Sequence, residues 1–229
     1  MRLHFTKMHG AGNDFVIVDA RQARPADGGA ALDAAAQPAD FFRHIADRRE
    51  GVGCDQVLVL EDARGDAAVA SYRVYNADGG EVQQCGNGAR CLARYLADSG
   101  IAAPRFAMQS AGGVVEARID GERVAISLGV PRFEPSALPL RVEQRQPTYT
   151  VDIDGRELRF RAVSMGNPHA VIEVDDTEKA PVAEVGAALN DHPLFPEGVN
   201  AGFCHIDSRS RLLLRVYERG VGETRACGT

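Results

Sequence analysis

The sequence contains no apolar run long enough to cross a bilayer. Its apolar stretches, such as those at 57–60 and 212–214, fall far short of the ~20 residues that a spanning helix needs. It also lacks a basic stripe. The 26 Lys and Arg are scattered among 32 Asp and Glu for a net charge of −6, which excludes the counterion-releasing footprint of a nucleic-acid binder. Small molecules are the expected partners. The opening MRLHFTKMHGAGNDF has no apolar segment followed by a small-residue cleavage site, so nothing in it directs export. The five cysteines, at 54, 85, 91, 204 and 227, make neither an even disulfide framework nor a CxxC redox pair. A reducing cytoplasm is the expected location. With the six histidines they also lack the close paired spacing of a tetrahedral metal site, so no metal is expected.

What is present is the composition of a globular protein, 45% hydrophobic and 25% charged over 229 residues, enough for one large domain or two small ones. Its most informative property is that it is written twice. RVYNADGGEVQQCGN, from Arg73, aligns without a gap on RVYERGVGETRACGT, from Arg215. Tyr75, Gly80, Glu81, Cys85 and Gly86 thereby recur as Tyr217, Gly222, Glu223, Cys227 and Gly228. Gly12-Asn13 before VIVD matches Gly166-Asn167 before VIEVD, and Glu50-Gly51-Val52 matches Glu197-Gly198-Val199. Three matches in one order imply a duplicated fold. The N-terminal half-domain is read as 1–130, carrying Cys85, and the C-terminal half-domain as 148–229, carrying Cys227. Between them 131–147, with prolines at 131, 135, 139 and 147, reads as an extended linker.

Alternating or continuous β-branched runs predict strands at 15–18, 56–60, 69–75, 114–119 and 123–127, then at 149–153, 157–164, 171–174, 203–206 and 212–217. Asp120-Gly121 and Asp154-Gly155 read as tight hairpin turns. Helices are expected at 41–48, at 182–189 and after Cys85, where Ala89, Leu92, Ala93 and Leu96 recur at helical spacing and Gly100 supplies a C-cap. The expected class is α+β: two pseudo-symmetric half-domains, each a curved, mainly antiparallel sheet around a central helix, with an active site in the cleft between them.

Cys85 would stand at the N-terminus of that helix, where unsatisfied N–H groups and the positive end of the macrodipole favour a thiolate and attract a carboxylate. Alone it would read as a small buried hydrophobe. Its repetition as Cys227 suggests two thiols facing each other across a cleft, the usual place for a pocket. Inversion at an amino-acid α-carbon demands such a pair, one base taking the proton from one face while an acid delivers it to the other. The carbanion would be stabilised by preorganised donors at the carboxylate. Cys54, Cys91 and Cys204 have no duplicates and read as packing residues, and the histidines other than His169 as structural or solvated.

The motifs KMHGAGNDF, GVGCDQ, YNADGGEVQQCGNGAR, MGNPHAV, EGVNAGF and YERGVGETRACGT, in this order and over essentially the whole chain, resemble the diaminopimelate epimerase family. The resemblance implies interconversion of LL- and meso-diaminopimelate in lysine and cell-wall precursor synthesis, with Cys85 and Cys227 as the thiolate/thiol pair and no cofactor, pyridoxal phosphate or metal. It implies substrate contacts at Asn13, Gln56, Asn76, Gly86, Asn87, Asn167, Asn200, Glu218, Arg219, Gly228 and Thr229, with His169 and Glu218 tuning the cysteines. Backbone N–H groups at Gly86, Asn87, Gly228 and Thr229 suit the reacting carboxylate, Glu218 the reacting ammonium, and Arg219 with Asn76, Asn167 and Asn200 the distal carboxylate. A homodimer is also implied.

One departure accompanies the resemblance. Aligning Thr229 with Asn87 leaves first-half residues 88–127 without a counterpart, so about 40 residues look missing by the repeat logic. In the family a helix and strands with dimer contacts follow there. The alternatives are a related cysteine-pair racemase, a thiol redox protein with a Cys85–Cys227 disulfide, and a noncatalytic amino-acid-binding module.

Overall fold

The computed structural model describes residues 3–21, 33–100, 103–225 and 227–228. Of the expected site residues, Thr229 lies outside them. The chain divides into two compact units, 1–128 and 129–227.

The first unit runs β1 (Thr6–Gly10), β2 (Asn13–Asp19), α1 (Ala39–Ala46), β3 (Gln56–Glu61), β4 (Ala70–Asn76), β5 (Glu81–Val82), α2 (Gly86–Asp98), β6 (Arg105–Ser110), β7 (Gly113–Asp120) and β8 (Arg123–Ile126). The strands form one sheet in the order β1-β2-β3-β4-β6-β7-β8, with β5 paired to β4. Pairing is antiparallel except for β2 with β3 and β4 with β6. α2 touches both β1 and β8 at the ends of this order, so the sheet curls around it. On the α2 side, Phe15, Ile17, Leu58, Leu60, Tyr72 and Val74 pack against Ala89, Leu92, Ala93 and Leu96. On the other side, Val16, Val18, Val57, Val59 and Tyr75 pack against Phe42, Ile45 and Ala46 of α1. Strands covered on both faces need apolar residues at every position, which is why FVIV and VLVL are continuous rather than alternating.

The second unit runs β9 (Tyr149–Ile153), β10 (Arg156–Ser164), β11 (Pro168–Glu173), α3 (Val182–Asn190), β12 (Asn200–Ser208), β13 (Arg211–Glu218) and β14 (Gly222–Thr224). Its sheet order is β14-β13-β12-β11-β10-β9, antiparallel except for β11 with β12. Val182 and Leu189 of α3 join Phe160, Ala170, Ile172, Ala201 and Phe203 in one core. The expected turn at 154–155 is present, with both Asp154 and Gly155 at positive φ.

The proline-bearing stretch differs from the extended linker expected at 131–147. Arg132 bridges to Ser164 of β10, a 3-10 turn forms at Pro135–Ala137, and Leu138 and Leu140 are buried in the second core. Burying two leucines outweighs the extended habit of the prolines, so the stretch is a packed part of the second unit. Elsewhere β1 and β6 are strands that periodicity missed. Phe106 and Met108 of β6 do point into the core, but the run is too short to stand out, and TKMHG of β1 has no apolar alternation. The first helix ends at Ala46 rather than at 48, because Asp47 turns extended and its carboxylate accepts from the N–H groups of Arg49 and Glu50. No helix among the described residues is long and apolar enough to cross a membrane.

Strand pairing makes the duplication explicit. β1-β2-α1-β3-β4-β5 and β10-β11-α3-β12-β13-β14 both read as an antiparallel hairpin, a helical crossover to a parallel strand, and two further antiparallel strands.

Candidate active site

Register brings the polar residues of each half to one end of its sheet. In the first unit Phe15 pairs with Gln56 and Gln56 with Asn76. In the second, His169 pairs with Asn200, and Ala201 with Tyr217, so Asn200 stands level with Glu218. Gln56 therefore corresponds to Asn200, and Asn76 to Glu218. The sequence match through Val52 and Val199 would have set Gln56 against Phe203. The loop between that valine and its strand is longer in the first half, and only pairing reveals the difference.

Cys85 is the N-cap of α2, with an extended backbone (φ −136°, ψ 115°), and its Sγ accepts from the Gly88 N–H at 3.4 Å. This contact, at the positive end of a helix dipole, favours the thiolate. Asn13, at the start of β2, sets its Oδ1 3.8 Å from the Cys85 Sγ. It follows the β1–β2 turn, in which Ala11 and Gly12 both adopt positive φ. The buried Gln56 side chain donates from Nε2 to Asn76 Oδ1 at 2.7 Å, which commits the Asn76 carbonyl and leaves its NH2 as a donor. Gly86 and Asn87 form the first turn of α2 and are buried. Among the described residues, Asn13, Gln56, Asn76, Cys85, Gly86 and Asn87 thus belong to one sheet end and one helix N-terminus.

In the second unit, Asn200 at the start of β12 accepts from the Arg219 N–H at 2.8 Å and donates to the Pro168 carbonyl at 3.1 Å. It ties the ends of β11 and β13 together. Asn167 Oδ1 lies 3.1 Å from His169 Nε2. Burial pushes His169 down to about 4, so the ring is neutral near pH 7. Glu218 accepts from the Thr224 hydroxyl at 2.5 Å, and Arg219 Nη1 donates to the Glu197 carbonyl at 2.6 Å. Cys227 is half-buried and Gly228 exposed.

One duplicated feature was visible in the sequence only as a coincidence of letters. Arg73 makes a two-oxygen ion pair with Glu81 at 3.0 and 2.9 Å, and Arg215 makes the same pair with Glu223 at 2.7 and 3.0 Å. In both halves the pair crosses from the long strand to the short one that leads to the cysteine. Two further supports escaped the sequence reading: Thr224 on Glu218, and Asp55, whose carboxylate accepts from Asn13 Nδ2 at 2.9 Å. Asp55 stands inside GVGCDQ, and that motif was the only available signal.

The remaining cysteines lie elsewhere. Cys54 and Cys91 are buried in the two cores of the first unit, and desolvation raises both thiols, Cys91 to about 11. Cys204 is half-buried, and burial raises its thiol too. A cavity of about 640 Å³ in the first unit is lined by His9, Arg90, Arg94 and Arg118 and does not include Cys85, so concavity alone does not mark the cysteine.

Comparison with known proteins adds the following. The family described as "Diaminopimelate epimerase" matches residues 5–134 and 161–229. The diaminopimelate epimerase of Nitrosospira multiformis is 47% identical over the whole chain, which spans 79% of that relative. That of Nitrosomonas europaea is 46% identical, with all of this chain and 80% of the relative covered. Among solved structures, a hydroxyproline epimerase from Agrobacterium vitis matches 98% of this chain and 72% of its own with TM-score 0.67 at 17% identity. A probable proline racemase from Agrobacterium radiobacter matches 99% and 74%, with the same TM-score and identity. These structures share the fold, two half-domains of curled sheet and helix.

Proposed function

The chain belongs to the diaminopimelate epimerase family, and on that premise we propose that it interconverts LL- and meso-diaminopimelate by two-base proton transfer between Cys85 and Cys227. The observation that carries the assignment is the duplication itself. Two halves with the same strand pairing and the same Arg–Glu clamp each lead through a short strand to a Cys-Gly pair. One thiolate removes the α-proton and the other thiol returns a proton to the opposite face, so the protonation states of the pair exchange and the reverse reaction begins from the other cysteine.

The α-carbanion is stabilised by N–H donors around the α-carboxylate. Gly86 and Asn87 offer them at the first turn of α2, and Gly228 and Thr229 are their counterparts in sequence. Such preorganised donors are typically a large catalytic contribution. Glu218 accepts from the reacting ammonium, and Arg219 with Asn76, Asn167 and Asn200 holds the distal carboxylate. Asn13 and Gln56 complete the substrate contacts, while His169, through Asn167, and Glu218 set the proton affinity of the pair. The reaction needs no pyridoxal phosphate and no metal. On this reading the protein works in the cytoplasm, in lysine and cell-wall precursor synthesis, as a homodimer.

The test is incubation of the reduced protein with LL-diaminopimelate in deuterated water, following meso product and α-deuterium. Both are expected, and Cys85→Ala or Cys227→Ala should each lower epimerisation by at least ~10³-fold, since removing one member of a coupled proton-transfer pair stops the cycle. Full turnover in Cys85→Ala would refute the two-base assignment. A proline-type substrate turned over in place of diaminopimelate would refute the role of Arg219.

A further inference from the structure

We propose that Asp55 is a positioning residue for the Cys85 half of the site, its carboxylate fixing which end of the Asn13 amide the thiol meets. The catalytic importance of that thiol rests on the epimerase reading above; the geometry does not.

An asparagine amide offers a donor at one end and an acceptor at the other, and its direction is set by whatever holds one end. An ionised carboxylate only accepts, so the end of Asn13 that meets Asp55 Oδ2 at 2.9 Å is the NH2. The carbonyl is therefore the end at Cys85. Asp55 itself cannot turn. Its Oδ2 also accepts from the Asp14 N–H at 3.0 Å and its Oδ1 from Arg48 Nη2 at 2.8 Å. Its own N–H donates to Asp14 Oδ1 at 2.9 Å. Asp14 is anchored in turn by Arg48 at 2.8 and 3.1 Å and by Lys7 at 2.9 Å. Burial alone would raise the Asp14 carboxyl, but the hydrogen bonds and ion pairs to Arg48 and Lys7 outweigh it and leave the group well below the usual carboxylate range. The cluster joins the β1–β2 turn to the loop before β3 and ends on Asn13.

The consequence falls on Cys85. The Gly88 N–H stabilises the thiolate, whereas the Asn13 carbonyl accepts from the thiol and stabilises the protonated form. Asp55 prevents the amide from turning its NH2 to the sulfur, where both contacts would favour the thiolate. Among the described residues, the titratable groups facing this thiol include the phenol of Tyr72 on β4, kept neutral by burial, and, behind Asn13, Asp14, Asp55, Lys7 and Arg48. The counterpart, Asn167, meets the His169 ring rather than a carboxylate, a partner that can donate or accept and so does not by itself fix the direction of the amide.

The experiment measures the pH midpoint of iodoacetamide alkylation at Cys85 in the reduced 229-residue chain, read by mass spectrometry of the Cys85 peptide, for the native protein, Asn13→Ala, Asp55→Asn and the double variant. Asn13→Ala removes the acceptor and should lower the midpoint by about half a pH unit or more. Asp55→Asn releases the amide and should lower it at least as far, yet should add little in the Asn13→Ala background, because its effect passes through Asn13. An equal shift from Asp55→Asn in both backgrounds would mean a direct effect of the lost charge and would overturn the proposal. So would a midpoint that Asn13→Ala leaves unchanged or raises. Asn13→Ala removes no charge from the cluster, so a midpoint that it fails to lower overturns the proposal even if Asp55→Asn does not fold. No substrate is used, so this outcome and that of the epimerisation assay are independent.

Discussion

Ala11 adopts φ 55°, in the left-handed region where a Cβ crowds the following carbonyl. It is tolerated because the β1–β2 turn must deliver Asn13 beside Cys85. Ala11→Gly should raise stability by about 0.5–1 kcal/mol, relief of strain exceeding the added freedom of the unfolded chain, as read by urea denaturation. At His169 the cost is electrostatic. The folded ring titrates at about 4 against the ordinary histidine value of 6.5, so below pH 6.5 the unfolded chain binds a proton that the folded protein refuses. Stability contributed by the neutral ring is complete above about pH 6.5 and falls as the pH drops toward 4, by up to about 3 kcal/mol. Denaturation across pH 4–8 should show this slope, and His169→Gln should flatten it.

At the scale of elements, α3 lies against β13 more closely than a side chain would permit. A Cβ on Gly186 would stand 2.4 Å from the Cβ of Tyr217. Gly186→Ala should therefore destabilise by about 1–3 kcal/mol despite the better helix propensity of alanine, measured by urea denaturation. The two Arg–Glu clamps are duplicated in form but not in load. Arg73 also meets Glu61, whereas Arg215 also donates to the carbonyls of Thr177, Glu178 and Ala180 ahead of α3. Loss of Arg215 leaves backbone acceptors short of a partner as well as a carboxylate. Arg215→Ala should accordingly cost more stability than Arg73→Ala in the same denaturation assay.

At the scale of the whole molecule, equivalent sheet faces are treated differently. The face of the first sheet bearing Leu58, Leu60, Tyr72 and Val74 is covered by α2. The corresponding face of the second exposes Ile206 at 52%, Leu212 at 63% and Leu214 at 51%. Such a contiguous apolar patch binds hydrophobic dyes and promotes association. Replacing Leu212 and Leu214 together by Thr should reduce dye fluorescence and concentration-dependent light scattering of the 229-residue chain while leaving its denaturation midpoint nearly unchanged. Equal fluorescence would mean that the patch is covered in solution.

The sequence by itself determined what depends on local chemistry and on chain order. The period of the apolar runs located β2, β3, β4 and α2, the Asp-Gly pair at 154–155 located its turn, and the repeat of Cys-Gly at fixed spacing singled out Cys85 and Cys227 because a gapless duplication preserves spacing. Tertiary structure decided what depends on which atoms meet. The parallel pairings of β2 with β3 and of β11 with β12 set Gln56 against Asn200, a correspondence hidden by loops of different length. Burial of Leu138 and Leu140 turned an apparent linker into part of a core. The direction of the Asn13 amide came from Asp55, a residue 42 positions away, because an amide's two ends are told apart by their partners and those partners are chosen only when the chain has folded.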